Sequence, residues 1–154
     1  MKNTKNLALR LREVILNGKW IANTNYKNEI EHLDWKDATR KIQSFNTVAI
    51  LSQHIHYYIQ GILNVYTNGK LEIKDQYSFD FPPISSQKDW ERFKLKFWED
   101  TKELAQCIER MTEKELLQVF VDKKYGDYSR NINAMIEHAY YHLGQLVLIK
   151  KMIV

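Results

Sequence analysis

His138 and His142 stand four residues apart in the stretch His-Ala-Tyr-Tyr-His-Leu-Gly-Gln. On a helix this spacing stacks two imidazoles on one face, one turn apart. One helix can then give two nitrogens to a single metal ion, as H-E-x-x-H helices do. Gln145 follows three residues later, near the same face, as a hydrogen-bonding neighbour or an edge residue. A third nitrogen must come from another segment, and His54 is the leading candidate, beside Leu51 and Ile55 in a strongly apolar run. Three neutral imidazoles in a mostly apolar surround would hold a divalent ion such as zinc or nickel and leave a fourth position open. Such an ion lowers the pKa of bound water toward neutrality, or holds and activates a thiolate.

Other residues compete for these roles. His56 lies two residues beyond His54, so it points to nearly the opposite side of the same helix, with Val48, Ser52 and Ile59 on a more mixed face. His54 is the preferred ligand and His56 its competitor. His32 stands in a polar, poorly patterned segment and is expected to face solvent. Tyr58 lies one turn from His54 and is expected to line a pocket, whereas Tyr141 is rotated about 100° from its neighbour His142 and is expected to pack. Glu137 is likewise rotated off the histidine face, so no helix-borne carboxylate stands ready as a general base. That argues against a protease mechanism. The plain alternative is a helical scaffold whose histidines merely fill space.

These residues need helices to position them. The chain has 154 residues, enough for one domain covering residues 1–154, and only 5 Gly and 2 Pro, too few turn formers for a sandwich or barrel. Leu7, Leu11, Val14 and Ile15 predict a first helix from about Thr4 to Asn17, with Gly18 as its stop. Asp34 is a cap for a short helix through Trp35, Ala38 and Ile42, which Ile30 and Leu33 could extend backwards. Asn46-Thr47 opens an apolar helix to about Tyr66, and Asn68-Gly69 ends it. Tyr77, Phe79 and Phe81 alternate as in a strand, but Pro82-Pro83 follows at once, so an aromatic loop over the helices is preferred. A capping signal at Ser86 precedes the clearest amphipathic stripe, Trp90, Phe93, Phe97, Thr101, Leu104, Ile108 and Met111. Thr112-Glu-Lys-Glu115 is a second capping box. After a connector turning near Gly126, Ser129 or Asn131 is expected to cap a last helix reaching about Met152. Four substantial helices with short extra pieces make an all-α four-helix bundle the economical fold.

Composition narrows the function further. The net charge is +4, with Lys and Arg interleaved among Asp and Glu, and no basic tract would track a phosphate backbone. No phosphate loop, nucleophile elbow or paired-cysteine motif occurs. Cys107 is the single cysteine, so an internal disulfide is impossible, in keeping with a reducing compartment. No run approaches the length of a membrane span and no secretory signal opens the chain, so a soluble cytoplasmic protein is expected, with no nucleic-acid or membrane partner.

At Asn133-Ala-Met-Ile-Glu-His138-Ala-Tyr-Tyr-His142-Leu-Gly-Gln145 the chain resembles the terminal motif of the DinB/YfiT-like superfamily, H-x-x-x-H-x-G-Q. Val48-Ala-Ile-Leu-Ser-Gln-His54-Ile-His-Tyr-Tyr58 is similar to that family's first metal-ligand helix, and the resemblance spans nearly the whole chain in order and length. It implies an up-down-down-up four-helix bundle, often a homodimer, with zinc or nickel held by three histidines. Carried to this chain, these are His54, His138 and His142. It also implies a small-molecule enzyme: a hydrolase acting through metal-bound water, or a transferase using a low-molecular-weight thiol. A non-catalytic metal- or ligand-binding helical module is the alternative.

Overall fold

In a computed structural model, which describes residues 3–154, the chain is predominantly helical. The elements are α1 (Asn3–Arg12), α2 (Tyr26–Ile30), α3 (Trp35–Ala38), α4 (Val48–Asn68), α5 (Gln87–Arg110), α6 (Glu113–Leu116) and α7 (Tyr128–Ile153). α1 continues without a break through a π-helical turn, Glu13–Asn17. Among the described residues there is no strand, only an isolated antiparallel bridge between Val119 and Asp127. No described helix is long and apolar enough to cross a membrane.

Side chains at the helix starts satisfy amides that the helix itself cannot. Thr47 accepts from the Ile50 N–H and Ser86 from the Asp89 N–H, while Thr112 and Glu115 form a reciprocal capping box. Gly69 ends α4 in the left-handed region (φ 71°), with its N–H on the Val65 carbonyl, a conformation that favours glycine. Two expectations need correction. α7 is capped by Asp127, which accepts from the Arg130 N–H at 2.7 Å, not by Ser129 or Asn131. The Asp34-capped helix stops at Ala38, short of Ile42, and the segment before it is a separate helix capped by Asn25.

The long helices pack as neighbours in the order α1, α5, α4, α7 and back to α1. His56 meets Asp100 and Tyr66 meets Met111, so contacts along α4 and α5 advance together and the two helices point the same way. His54 meets His138 whereas Tyr66 meets Tyr128, so α7 runs against α4. Between them lies one continuous cluster of buried apolar side chains, with Trp90, Phe97, Leu104, Ile55, Ile59 and Leu146 among the most completely buried. The segment joining α1 to α4 is pinned onto this core by three buried groups. The Tyr26 hydroxyl donates to the Ala139 carbonyl, the Trp90 indole N–H to the Leu33 carbonyl, and the Lys94 ammonium to the Glu31 carbonyl at the end of α2.

The link from α4 to α5 decides what covers the histidines. Parallel neighbours need a long return. Here the chain doubles back along α4: Asn64 bonds to Lys70 and Glu72, Tyr57 to Lys74, Tyr58 to Asp75, His54 to Ser78 and Gln53 to Pro82. Gly61 makes the close approach possible. A β-carbon there would lie 2.4 Å from the Ile73 side chain, so its absence leaves the dent in which Ile73 sits.

Candidate metal centre

His54 sits in the second turn of α4, and His138 and His142 sit on the facing stretch of α7. One nitrogen from each ring lies within 4.8 Å of the others, so the three histidines are close enough to hold a metal ion. His54 and His142 are buried and His138 is half-buried. The spacing His54 Nε2 to His138 Nε2 is 3.2 Å. Two nitrogens bound at about 2.05 Å and separated by a tetrahedral angle would stand about 3.3 Å apart. The pair therefore already has the edge length of a zinc-like coordination sphere.

Neighbouring groups fix which nitrogens face inward. The His54 Nδ1–H donates to the Ser78 carbonyl at 2.7 Å, and the His142 Nδ1–H donates to Gln145 Oε1 at 2.6 Å. A neutral imidazole with its proton on Nδ1 carries its lone pair on Nε2. Two Nε2 lone pairs are thus turned toward a shared centre, with His138 Nε2 beside one of them. Without a metal, His138 donates its Nε2–H to His54 Nε2 at 3.2 Å, and a cation bound there would displace that proton and take the lone pairs together. Histidine ligands held by carbonyl acceptors on their far side are the usual support of such sites. The donor set, the spacing and the oriented rings all fit a divalent ion.

Burial also keeps the rings neutral. It lowers the pKa of His54 against the opposing Ser78 carbonyl, and that of His142 against Gln145. His138 falls from its ordinary 6.5 to about 4, through burial first and then the nearby His142 and His54. Asp75 opposes the drop at His54 and His138, and Tyr58 donates its hydroxyl to that carboxylate. A consequence for pH follows. Protons compete poorly for these nitrogens at neutrality, so metal affinity is expected to be nearly flat from about pH 8 to 7 and to weaken in acid. In the metal-free protein the unfolded chain takes up the His138 proton near 6.5 while the folded chain resists to about 4. Stability should therefore rise with pH across that interval and level off above it. Metal titrations and denaturant melts at stepped pH check both; affinity that improves as pH falls from 7 to 5 would contradict the neutral-ring picture.

The remaining walls are aromatic. Phe79 lies flat on His54 (centroids 4.0 Å apart, planes 8° from parallel), and Tyr58 meets His54 and His138 edge-on. Gln145 is half-buried against His142. Tyr141 is exposed although its ring edge touches His142, and His32 and Glu137 are exposed. Ser78, Phe79 and Asp75 were not singled out as site residues by sequence reasoning. The alternating aromatics of the loop were the available signal for Phe79, while Ser78 acts through its backbone and carries none.

His56 is not part of the cluster. Its Nε2 is 2.7 Å from Asp100 Oδ2 in the α4–α5 interface, between the rings of Phe93 and Phe97. The face read as mixed is in fact buried, with Val48, Ser52, His56 and Ile59 all inside.

No family model, no curated protein and no solved structure matches this chain.

Proposed function

We propose that this protein is a metal-dependent enzyme of the DinB/YfiT-like kind. In this reading α1, α4, α5 and α7 form an up-down-down-up bundle, and His54, His138 and His142 hold one zinc or nickel ion with a position left open. The observation that carries it is the convergence of three imidazoles, two of them locked by carbonyl acceptors so that Nε2 faces the shared centre. The motif resemblance and the neighbour relations of the long helices support the same reading. When bound, the ion supplies Lewis acidity that favours the deprotonated form of a nucleophile.

A low-molecular-weight thiol is the nucleophile this surround suits best. A free thiol, with pKa about 8.5, is close to ionising at neutrality even before a metal binds it. It needs less help from a general base, and neither helix bearing the histidines places a carboxylate among them. Phe79 and Tyr58 exclude water from two sides and offer ring surfaces that sulfur contacts favourably. Asp75 is exposed and can pass a released proton to solvent, while the Tyr58 hydroxyl keeps its carboxylate in place. The reaction class is transfer of the thiol to, or through, a small electrophile.

Cobalt substitution tests this. Cobalt(II) should bind once per chain, and adding 2-mercaptoethanol, cysteine or glutathione should bring up a sulfur-to-cobalt charge-transfer band with at least one of them. That thiol should then be consumed with an electrophile such as chlorodinitrobenzene. Ester hydrolysis without any charge-transfer band would point to water as the nucleophile instead, and failure to bind cobalt would remove the metal reading.

A further inference from the structure

A second feature adjoins the histidines. Between the start of α4 and the end of α7 lies a cavity of about 370 Å³ lined by Phe45 with its polar neighbours, Leu51, Gln145, Leu148, Ile149 and Met152. Its place in the fold follows from the helix register. Leu51 precedes His54 by three residues on α4, and Gln145 follows His142 by three residues on α7. Because the two helices run in opposite directions, both steps lead the same way. The Leu51 and Gln145 part of the lining therefore lies about one turn, roughly 5 Å along the helices, from His54 and His142, and none of the three histidines lines the cavity itself. Gln145 belongs to both places: its Oε1 holds His142 Nδ1 and its side chain forms cavity wall.

Three of the lining side chains are far more exposed than apolar residues in a core: Phe45 at 46%, Leu148 at 57% and Met152 at 49%. Together they offer on the order of 300 Å² of apolar surface around a concave mouth, well short of the about 800 Å² per partner that a stable protein interface covers. The volume, in contrast, falls in the range of about 300–1,000 Å³ typical of small-molecule sites. The walls are mostly apolar, with Ser44, Asn46 and Gln145 as the polar groups, which selects a compact aromatic or branched alkyl group bearing a hydrogen-bonding function.

We infer that this cavity seats the apolar body of the small molecule whose reactive group is handled at the three histidines, with Gln145 as the shared wall. The inference rests on the metal reading above and adds a substrate class to it: an electrophile with an aromatic or branched apolar portion next to its reactive centre. Occupancy also has a route to the metal. A ligand that moves the Gln145 amide alters the hydrogen bond that orients His142.

The test uses 1-naphthol as the probe and the full chain loaded with cobalt(II). One naphthol should bind per chain, read from the shift of the Gln145 side-chain amide resonances, and binding should move the visible cobalt bands. Leu148→Asp and Met152→Asp, both at exposed positions, should each weaken naphthol binding by about tenfold or more through a charge on the wall. Leu95→Asp, at a 61% exposed leucine on α5, should leave it unchanged. Cobalt bound without naphthol binding, or equal loss in all three variants, would overturn the cavity assignment alone. Naphthol bound with the cobalt bands unmoved would separate the cavity from the site and also overturn it. A wild-type dimer that Leu148→Asp turns into a monomer would show a second copy covering the mouth, again against the inference. Absence of cobalt binding strikes the metal reading itself and removes the shared-ligand claim with it.

Discussion

Replacing His142 with Ala is expected to abolish stoichiometric metal binding while leaving the helical content nearly unchanged. Four-ligand zinc sites bind with about 10–16 kcal/mol, so each ligand accounts for roughly 2.5–4 kcal/mol, or about a hundred- to a thousandfold in affinity. Removing one of three protein ligands leaves His54 and His138, too few to outcompete buffer and water. The helix tolerates the change because α7 is 26 residues long and alanine has the best helix propensity. Gln145→Leu gives a graded control. It keeps all three ligands but removes the acceptor 2.6 Å from His142 Nδ1, and should cost about 10- to 100-fold in affinity. Elemental analysis of untagged protein, together with far-UV circular dichroism, reads both. Full metal content in His142→Ala would rule out the ligand set.

Much of this was legible because it depends on local spacing. The i, i+4 pair His138 and His142, the apolar neighbours of His54 and the caps at Thr47, Ser86 and Thr112 are each written within a few residues, and the structure places them accordingly. What escaped depends on partners far away in sequence. Asp127 wins the α7 cap over Ser129 because the helix starts two residues earlier, where Tyr128 meets the rings of Tyr66 and Phe120. Ser78 orients His54 with a carbonyl, which any residue type would supply. Gly61 shapes the loop contact with no side chain at all, so only the packed structure reveals it. Lys94 and Asp100 interrupt the apolar stripe of α5 yet are buried, because Glu31 meets the first and His56 and Lys96 meet the second. A stripe drawn from hydrophobic periodicity alone has no means of placing such charges inside.

The pair of His56 and Asp100 makes the second large effect. Asp100 is 2% exposed, with one oxygen 2.7 Å from His56 Nε2 and the other 2.6 Å from the Lys96 ammonium. Burial raises its pKa, but those two partners outweigh burial and hold it below the ordinary 3.8. Its contribution to stability is therefore complete above that pH and fades as acid protonates the carboxyl. Asp100→Ala leaves His56 Nε2 buried among Phe93 and Phe97 without an acceptor, and breaking a buried pair this way costs about 3–5 kcal/mol. Lys96 is largely exposed and recovers water, which brings the expectation to about 3 kcal/mol, or roughly 6–12 °C in Tm for a chain of this size. Replacing both partners together, His56→Leu with Asp100→Leu, should restore most of that loss, because an apolar pair leaves no polar atom unsatisfied. Metal content is the sharper readout. His54 and His56 project from nearly opposite sides of α4, so the destabilised variants should still bind one ion per chain while they remain folded. If the double variant were folded but metal-free, His56 rather than His54 would be the third ligand, and the geometry at Ser78 and Phe79 would lose its meaning.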